Sequence, residues 1–139
     1  MAFANPRLIL SVDSPDANNL LAGVLSLKGF KVLKSKSTNE CLSIVNHSEE
    51  KLDVILTDKE SAFENNSFLL NEIIRIAPQT MIVIIVDNDD DVRNLPKRVE
   101  FVLRPTTAEN LADNILHMLA KKELKRLKDS RRPEYEINF

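Results

Sequence analysis

Residues 52–58 read Leu52-Asp53-Val54-Ile55-Leu56-Thr57-Asp58, a short apolar run that ends in a carboxylate. Apolar residues at successive positions are typical of a strand in a parallel sheet, because helices cover both faces of such a sheet. The acid at the end would leave the core at the carboxyl edge of the sheet, where open α/β folds bind their ligands. A second apolar run, residues 8–12, is followed by Asp13. Two strands would therefore deliver two carboxylates to one edge.

The composition is that of one globular domain: 139 residues, of which 43% are hydrophobic and 29% are charged. The chain has only two glycines, which nearly excludes a glycine-rich phosphate-binding loop. A formal net charge of −2 gives no overall attraction to nucleic acid or to a membrane surface. The single cysteine, Cys41, fits a reducing compartment. Because neither a signal peptide nor a membrane-spanning run is evident, we predict a cytoplasmic protein.

Strand and helix signals alternate along the chain. We predict strands at residues 8–12, 30–34, 52–58, 81–86 and 101–103, with helices between them and a last helix opening in the capping box 106–109. The polar stretch 59–66 is expected to lead into the third helix. The fourth helix is expected to be short or missing, because acidic residues 87–91 and Pro96 leave little room for it. The pattern predicts an α/β fold with a doubly wound, five-stranded parallel sheet.

The C-terminal segment, residues 121–139, is strongly basic and is expected to be a helical extension followed by a tail. Its simplest interpretation is a solvated continuation of the last helix. A contact for an acidic partner is the alternative, while the lack of aromatic residues before Tyr135 argues against nucleic acid. Leu116, Leu124 and Leu127 would form a helical seam for a homodimer.

Taken together, these features resemble the receiver domain of two-component response regulators, over roughly residues 7–119. Three features match in order: Val12-Asp13 at the end of strand one, residues 52–58 as strand three, and Phe101-Val102-Leu103-Arg104-Pro105 around strand five. The last corresponds to the family's aromatic-x-x-Lys-Pro, with arginine in place of lysine. The resemblance implies a flavodoxin-like sheet of order 2-1-3-4-5 for residues 1–120, and a signalling domain rather than an enzyme.

In that family, the acid that ends strand three accepts a phosphoryl group from a phosphohistidine on a partner, and by position that acid is Asp58. Phosphoryl transfer depends mainly on positioning and charge neutralisation. The resemblance therefore implies Mg²⁺ held by Asp13, Asp58 and the backbone carbonyl of Glu60, with Arg104 as a fixed cation. The implied partner is a sensor histidine kinase or a phosphotransfer protein.

The site departs from the family pattern in ways that weaken it. Ser14 stands where the family has a second acid, so metal affinity should be low. Val86 replaces the serine or threonine whose hydroxyl binds the phosphoryl oxygen, and it has no donor. Phe101 matches the family's aromatic switch residue, but it lacks that hydroxyl partner. Asp87 would lie close enough to restore part of the lost negative charge.

Two functions follow from these residues. The first is a stand-alone, atypical receiver in phosphorelay signal transduction, with Asp58 as the phosphoacceptor. The alternative is a pseudo-receiver, a protein-interaction module that keeps the fold and acts without phosphorylation. A flavodoxin-like cofactor binder is a third possibility, and the missing phosphate loop after strand one argues against it.

Overall fold

The computed structural model describes residues 5–12, 15–49, 51–88, 99–104 and 106–137; for 15–17 and 129–137 it describes the backbone. Strands and helices alternate in this part of the chain. The elements are β1 (Arg7–Ser11), α1 (Pro15–Leu27), β2 (Lys31–Lys34), α2 (Thr38–His47), β3 (Val54–Asp58), α3 (Lys59–Ile76), β4 (Met81–Val86), β5 (Val99–Leu103) and α4 (Ala108–Ile137).

The five strands form one parallel sheet in the order β2-β1-β3-β4-β5. This confirms the predicted doubly wound, flavodoxin-like sheet. The central strand, β3, pairs with β1 on one side and β4 on the other, with Asp58 opposite Ile85. Asp58 therefore lies at the carboxyl edge of the sheet between two neighbouring strands.

Both faces of the sheet are covered, which explains the uninterrupted apolar runs in β3 and β4. Successive side chains of a strand point to opposite faces. Leu56 accordingly belongs to a core shared with α1 and α4, whereas Ile55 belongs to a second core shared with α2 and α3. Every residue of β3 and β4 is buried. The strand that carries Asp58 is thus fixed from both sides.

Replacing Leu56 with alanine should lower the free energy of unfolding by about 3–5 kcal/mol, because a fully buried leucine loses its contacts and leaves a cavity. Leu27→Ala provides the matched control. Leu27 is 88% exposed, and the same substitution there should change stability by about 0.5 kcal/mol or less. Urea denaturation of both variants measures the difference. Equal stabilities would contradict the placement of Leu56 in the core.

Side-chain caps fix several helix starts. Ser37 Oγ accepts a hydrogen bond from the N–H of Glu40 at 3.1 Å and so caps α2. In α4 the cap is Thr107, whose Oγ1 accepts from the N–H of Asn110 at 3.0 Å. The predicted capping box placed this role one residue earlier, at Thr106. The difference arises because both threonines have side chains suited to capping.

Several element boundaries differ from the prediction, and β1, β2 and β3 are each shifted by one or two residues. Helix α3 begins at Lys59, inside the predicted polar lead-in, and is interrupted at Glu64, Asn65, Asn66 and Ser67. The last three have positive φ of 51°, 56° and 62°, a conformation that asparagine tolerates better than most residues. Strand β5 begins at Val99 rather than Phe101. Helix α4 continues through the predicted helical extension as far as Ile137, which includes most of the segment 134–139 that was predicted as the tail.

Two further predictions concern the fourth helix and membrane-spanning segments. The short fourth helix, between β4 and β5, falls on residues 89–98, which lie outside the described residues. Among the helices that are described, none has a stretch of the length and apolarity needed to cross a membrane.

Candidate functional site

Asp58 ends β3 and at the same time caps α3. Its side chain is only 3% exposed, and its Oδ1 accepts a hydrogen bond from the backbone N–H of Ser61 at 3.0 Å. Its extended backbone is that of an N-cap residue. The strand and the cap together fix the position and the orientation of this carboxylate.

Asp58 borders an open cavity of about 360 Å³ at the carboxyl edge of the sheet. Arg104, the residue that follows β5, borders the same cavity. The remaining lining is mostly apolar and comes from the ends of β1 and β4 and from α1 and α4: Val12, Leu20, Leu21, Ile85, Thr106, Thr107, Ala108 and Leu111. The site therefore combines one buried carboxylate with one cation in apolar surroundings.

Asp87, immediately after β4, joins two cations from neighbouring elements. Its Oδ2 lies 2.7 Å from Lys59 Nζ, at the start of α3, and its Oδ1 lies 3.3 Å from Arg104 Nη1. Hydrogen bonding from Lys59, together with the charges of Lys59 and Arg104, holds the pKa of Asp87 below its usual value. Asp87 is therefore ionised at neutral pH and links the ends of β3, β4 and β5.

The structure places the two residues of the expected switch as follows. Val86 is fully buried, and its backbone carbonyl accepts a hydrogen bond from the N–H of Arg104 at 2.8 Å. Its side chain offers no donor to the cavity. Phe101 pairs with Ile84 in the sheet and is 38% exposed. The end of β4 is thus held by backbone pairing and apolar packing.

The described residues include Asp58 but do not complete a group of side-chain ligands for Mg²⁺. Asp13 and Ser14 lie outside them. Glu60, whose backbone carbonyl is the third predicted ligand, is in the first turn of α3. Within residues 5–12, 15–49, 51–88, 99–104 and 106–137, no three acid, histidine or cysteine side chains form a group suited to a metal ion. The charged residues that border the cavity are Asp58 and Arg104, and Asp87 joins Arg104 to Lys59.

Sequence patterns missed two residues of this site, Lys59 and Ser61. Ser61 contributes its backbone N–H, which carries no sequence signal beyond the helix start. Lys59 and Asp87 could have been paired from the strand order. They follow the ends of β3 and β4, which are neighbours in the sheet. The sequence signal is a basic residue and an acidic residue that directly follow two strands adjacent in the sheet.

A larger groove, of about 750 Å³, lies at the opposite end of the sheet. Its charged rim is formed mainly by Lys121, Lys122 and Lys125 of α4, and Lys122 donates a hydrogen bond to the carbonyl of Gln79. These lysines belong to the predicted basic extension. They are exposed, and Glu100 is the one acid among the described residues that line the groove. The carboxyl edge, with its buried acid, is therefore the stronger candidate for a chemical site.

Comparison with solved structures identifies the same fold in receiver domains. A response regulator receiver domain protein from Clostridium thermocellum has 22% identity and a TM-score of 0.72, covering 86% of this chain and 98% of that one. The receiver domain of a LuxO repressor from Vibrio parahaemolyticus has 18% identity and a TM-score of 0.73, covering 88% and 96%. An adenylate cyclase structure from Rhodopirellula baltica has 21% identity and a TM-score of 0.74, covering 91% and 96%.

These likenesses establish the fold expected from the sequence resemblance: the chain has the flavodoxin-like architecture of receiver domains. No protein-family model matches the chain, and no curated protein matches it. At this level of identity, similarity of fold does not carry an activity with it. Function must therefore be argued from the site.

Proposed function

We propose that the protein is an atypical receiver that accepts a phosphoryl group on Asp58 in a phosphorelay. The observation that carries this proposal is the position of Asp58. A buried carboxylate ends the central strand of a receiver-type sheet, and it borders a cavity that also contains the cation Arg104. A nucleophilic carboxylate beside a fixed positive charge is the combination that phosphoryl transfer needs.

The donor in this proposal is a phosphohistidine on a sensor histidine kinase or a phosphotransfer protein. A carboxylate oxygen of Asp58 attacks phosphorus and forms a P–O bond. The P–N bond breaks, and its electron pair stays on the imidazole nitrogen, which takes a proton from solvent. The product is an acyl phosphate on Asp58. The hydrogen bond from Ser61 to Oδ1 holds the carboxylate, and Arg104 offsets the added negative charge.

A pseudo-receiver role is the second candidate, and the buried Val86 favours it. With no hydroxyl at this position, phosphorylation cannot be reported through a hydrogen bond from the end of β4. The protein would then bind its partner through the fold alone. The two candidates differ in one measurable property, which is whether Asp58 takes up a phosphoryl group.

The test is incubation of the protein with acetyl phosphate, with and without Mg²⁺, followed by intact-mass analysis. We expect a mass gain of one phosphoryl group, because acetyl phosphate supplies the same electrophile and releases acetate. Borohydride reduction of the acyl phosphate and peptide mapping should locate the modification at Asp58. If no mass gain occurs under either condition, the phosphoacceptor proposal is wrong and the pseudo-receiver role remains.

A further inference from the structure

We propose that Lys59 and Arg104 form a phosphoryl-binding cation pair that Asp87 occupies until Asp58 is phosphorylated. Phosphorylation then exchanges one anion for another at this pair. The inference rests on the proposed phosphorylation of Asp58. It assigns the binding and release of charge to Lys59, which the sequence did not indicate, and gives Asp87 a role other than the predicted one.

The geometry gives each oxygen of Asp87 its own cation. Lys59 Nζ is 2.7 Å from Oδ2, and Arg104 Nη1 is 3.3 Å from Oδ1. The two cations approach from different elements, the first residue of α3 and the residue after β5. Lys59 also follows Asp58 directly in the chain, and Arg104 borders the same cavity as Asp58. Both cations are therefore paired with Asp87, while Arg104 shares the cavity of Asp58 and Lys59 is its neighbour in the chain.

The difference in burial between Asp58 and Asp87 determines which of the two sites attracts Lys59 and Arg104 more strongly. The side chain of Asp87 is 42% exposed, and those of Lys59 and Arg104 are 30% and 44% exposed, so their ion pairs are screened by water and salt. Asp58 is 3% exposed, and charge added near it is screened less. A phosphoryl group also carries about two negative charges, against one on a carboxylate. The phosphorylated acceptor therefore attracts Lys59 and Arg104 more strongly than Asp87 does.

This exchange supplies an output that the buried Val86 cannot. Asp87 follows Val86 directly, and its two ion pairs connect the end of β4 to α3 and to the end of β5. When Lys59 and Arg104 bind the phosphoryl group instead, Asp87 loses both ion pairs. The backbone pairing of Val86 with the end of β5 remains. The response is thus the loss of the two ion pairs that connect Asp87 to Lys59 and Arg104, with the sheet unchanged.

The test compares the initial rates of phosphoryl uptake from acetyl phosphate in the wild type and in variants that fold, as checked by thermal melting. Asp87→Asn should raise the rate by about three- to tenfold, because two surface ion pairs no longer compete for the cations. Adding Lys59→Met to this variant should remove most of the gain, as expected for residues that act through each other. Loss of Lys59 alone should slow uptake.

The matched control is Asp113→Asn, which removes the same charge and breaks an exposed pair with Lys28 at 3.3 Å. It should leave the rate unchanged, which separates the exchange from a general effect of net charge. Equal rates in the wild type and Asp87→Asn, or a gain that survives Lys59→Met, would overturn the inference while leaving the acceptor intact. Absence of uptake in every variant would instead overturn the proposed function and this inference with it.

Discussion

Replacing Asp58 with asparagine should abolish phosphoryl uptake and leave the fold intact. An amide oxygen is a far weaker nucleophile than a carboxylate, so no acyl phosphate can form at this position. Asparagine is nevertheless as good an N-cap as aspartate, and its Oδ1 can accept the same hydrogen bond from Ser61. The variant therefore removes the chemistry and keeps the local structure.

The measurement is intact mass after incubation with acetyl phosphate, combined with urea denaturation. We expect no mass gain for Asp58→Asn and a free energy of unfolding within about 1 kcal/mol of the wild type. Asp53→Asn is the control. Asp53 precedes β3 at the other end of the strand, and its Oδ2 accepts a hydrogen bond from the N–H of Arg7 at 2.9 Å. That variant should be phosphorylated normally. If Asp58→Asn still takes up a phosphoryl group, the phosphoacceptor is another residue.

The sheet was predictable because its central strands are unambiguous. β3 and β4 are apolar on both faces, and only a parallel sheet covered by helices buries such strands completely. Their order followed from the family resemblance and is confirmed. The start of α3 was missed, because the residues after Asp58 are polar and the cap that begins the helix is the predicted acceptor itself. The side chain of Asp58 is both the helix cap and the predicted phosphoacceptor, and the sequence pattern indicated only the second role.

The sequence predicted where the candidate site lies in the fold, but it did not predict all of the side-chain contacts. Asp58 and Arg104 follow two strands of one sheet, and the structure places both at one cavity. The sequence placed Asp87 nearby without showing what it binds. Its contact with Lys59 depends on the helix beginning directly at residue 59, which turns that side chain toward the end of β4. Ion pairs between residues on separate elements require the strand order and the helix start together, and neither is local information.

The buried strands give the site a rigid support, whereas the ion pairs around it are exposed and weak. The strands that carry Asp58 and Val86 are buried along their whole length. The ion pairs of Asp87 are exposed, so water and salt screen them. A change of charge at Asp58 would therefore rearrange the ion pairs and leave the packing of the core unchanged.

Alkylation of Cys41 should be about a thousandfold slower in the folded protein than in the unfolded chain at pH 8. Cys41 is fully buried in the core formed by α2 and α3, and burial raises the pKa of its thiol from 9.0 to about 12. Only the thiolate reacts, and a pKa higher by about three units lowers the thiolate fraction about a thousandfold. The measurement is the rate of iodoacetamide labelling by mass, with and without urea. Similar rates in the two states would contradict the burial of this thiol.

The same pKa shift sets a pH dependence of stability, and its sign is fixed. Because the folded-state pKa is above the unfolded value, the stabilisation is complete below about pH 9 and is lost as the pH rises from about 9 toward 12. The loss should approach about 1.4 kcal/mol per pH unit in that window, since the unfolded state releases a proton that the folded state keeps. Cys41→Ala provides the matched variant, whose alkaline loss of stability should be smaller by this amount. An identical alkaline slope in both proteins would show that Cys41 does not titrate on unfolding.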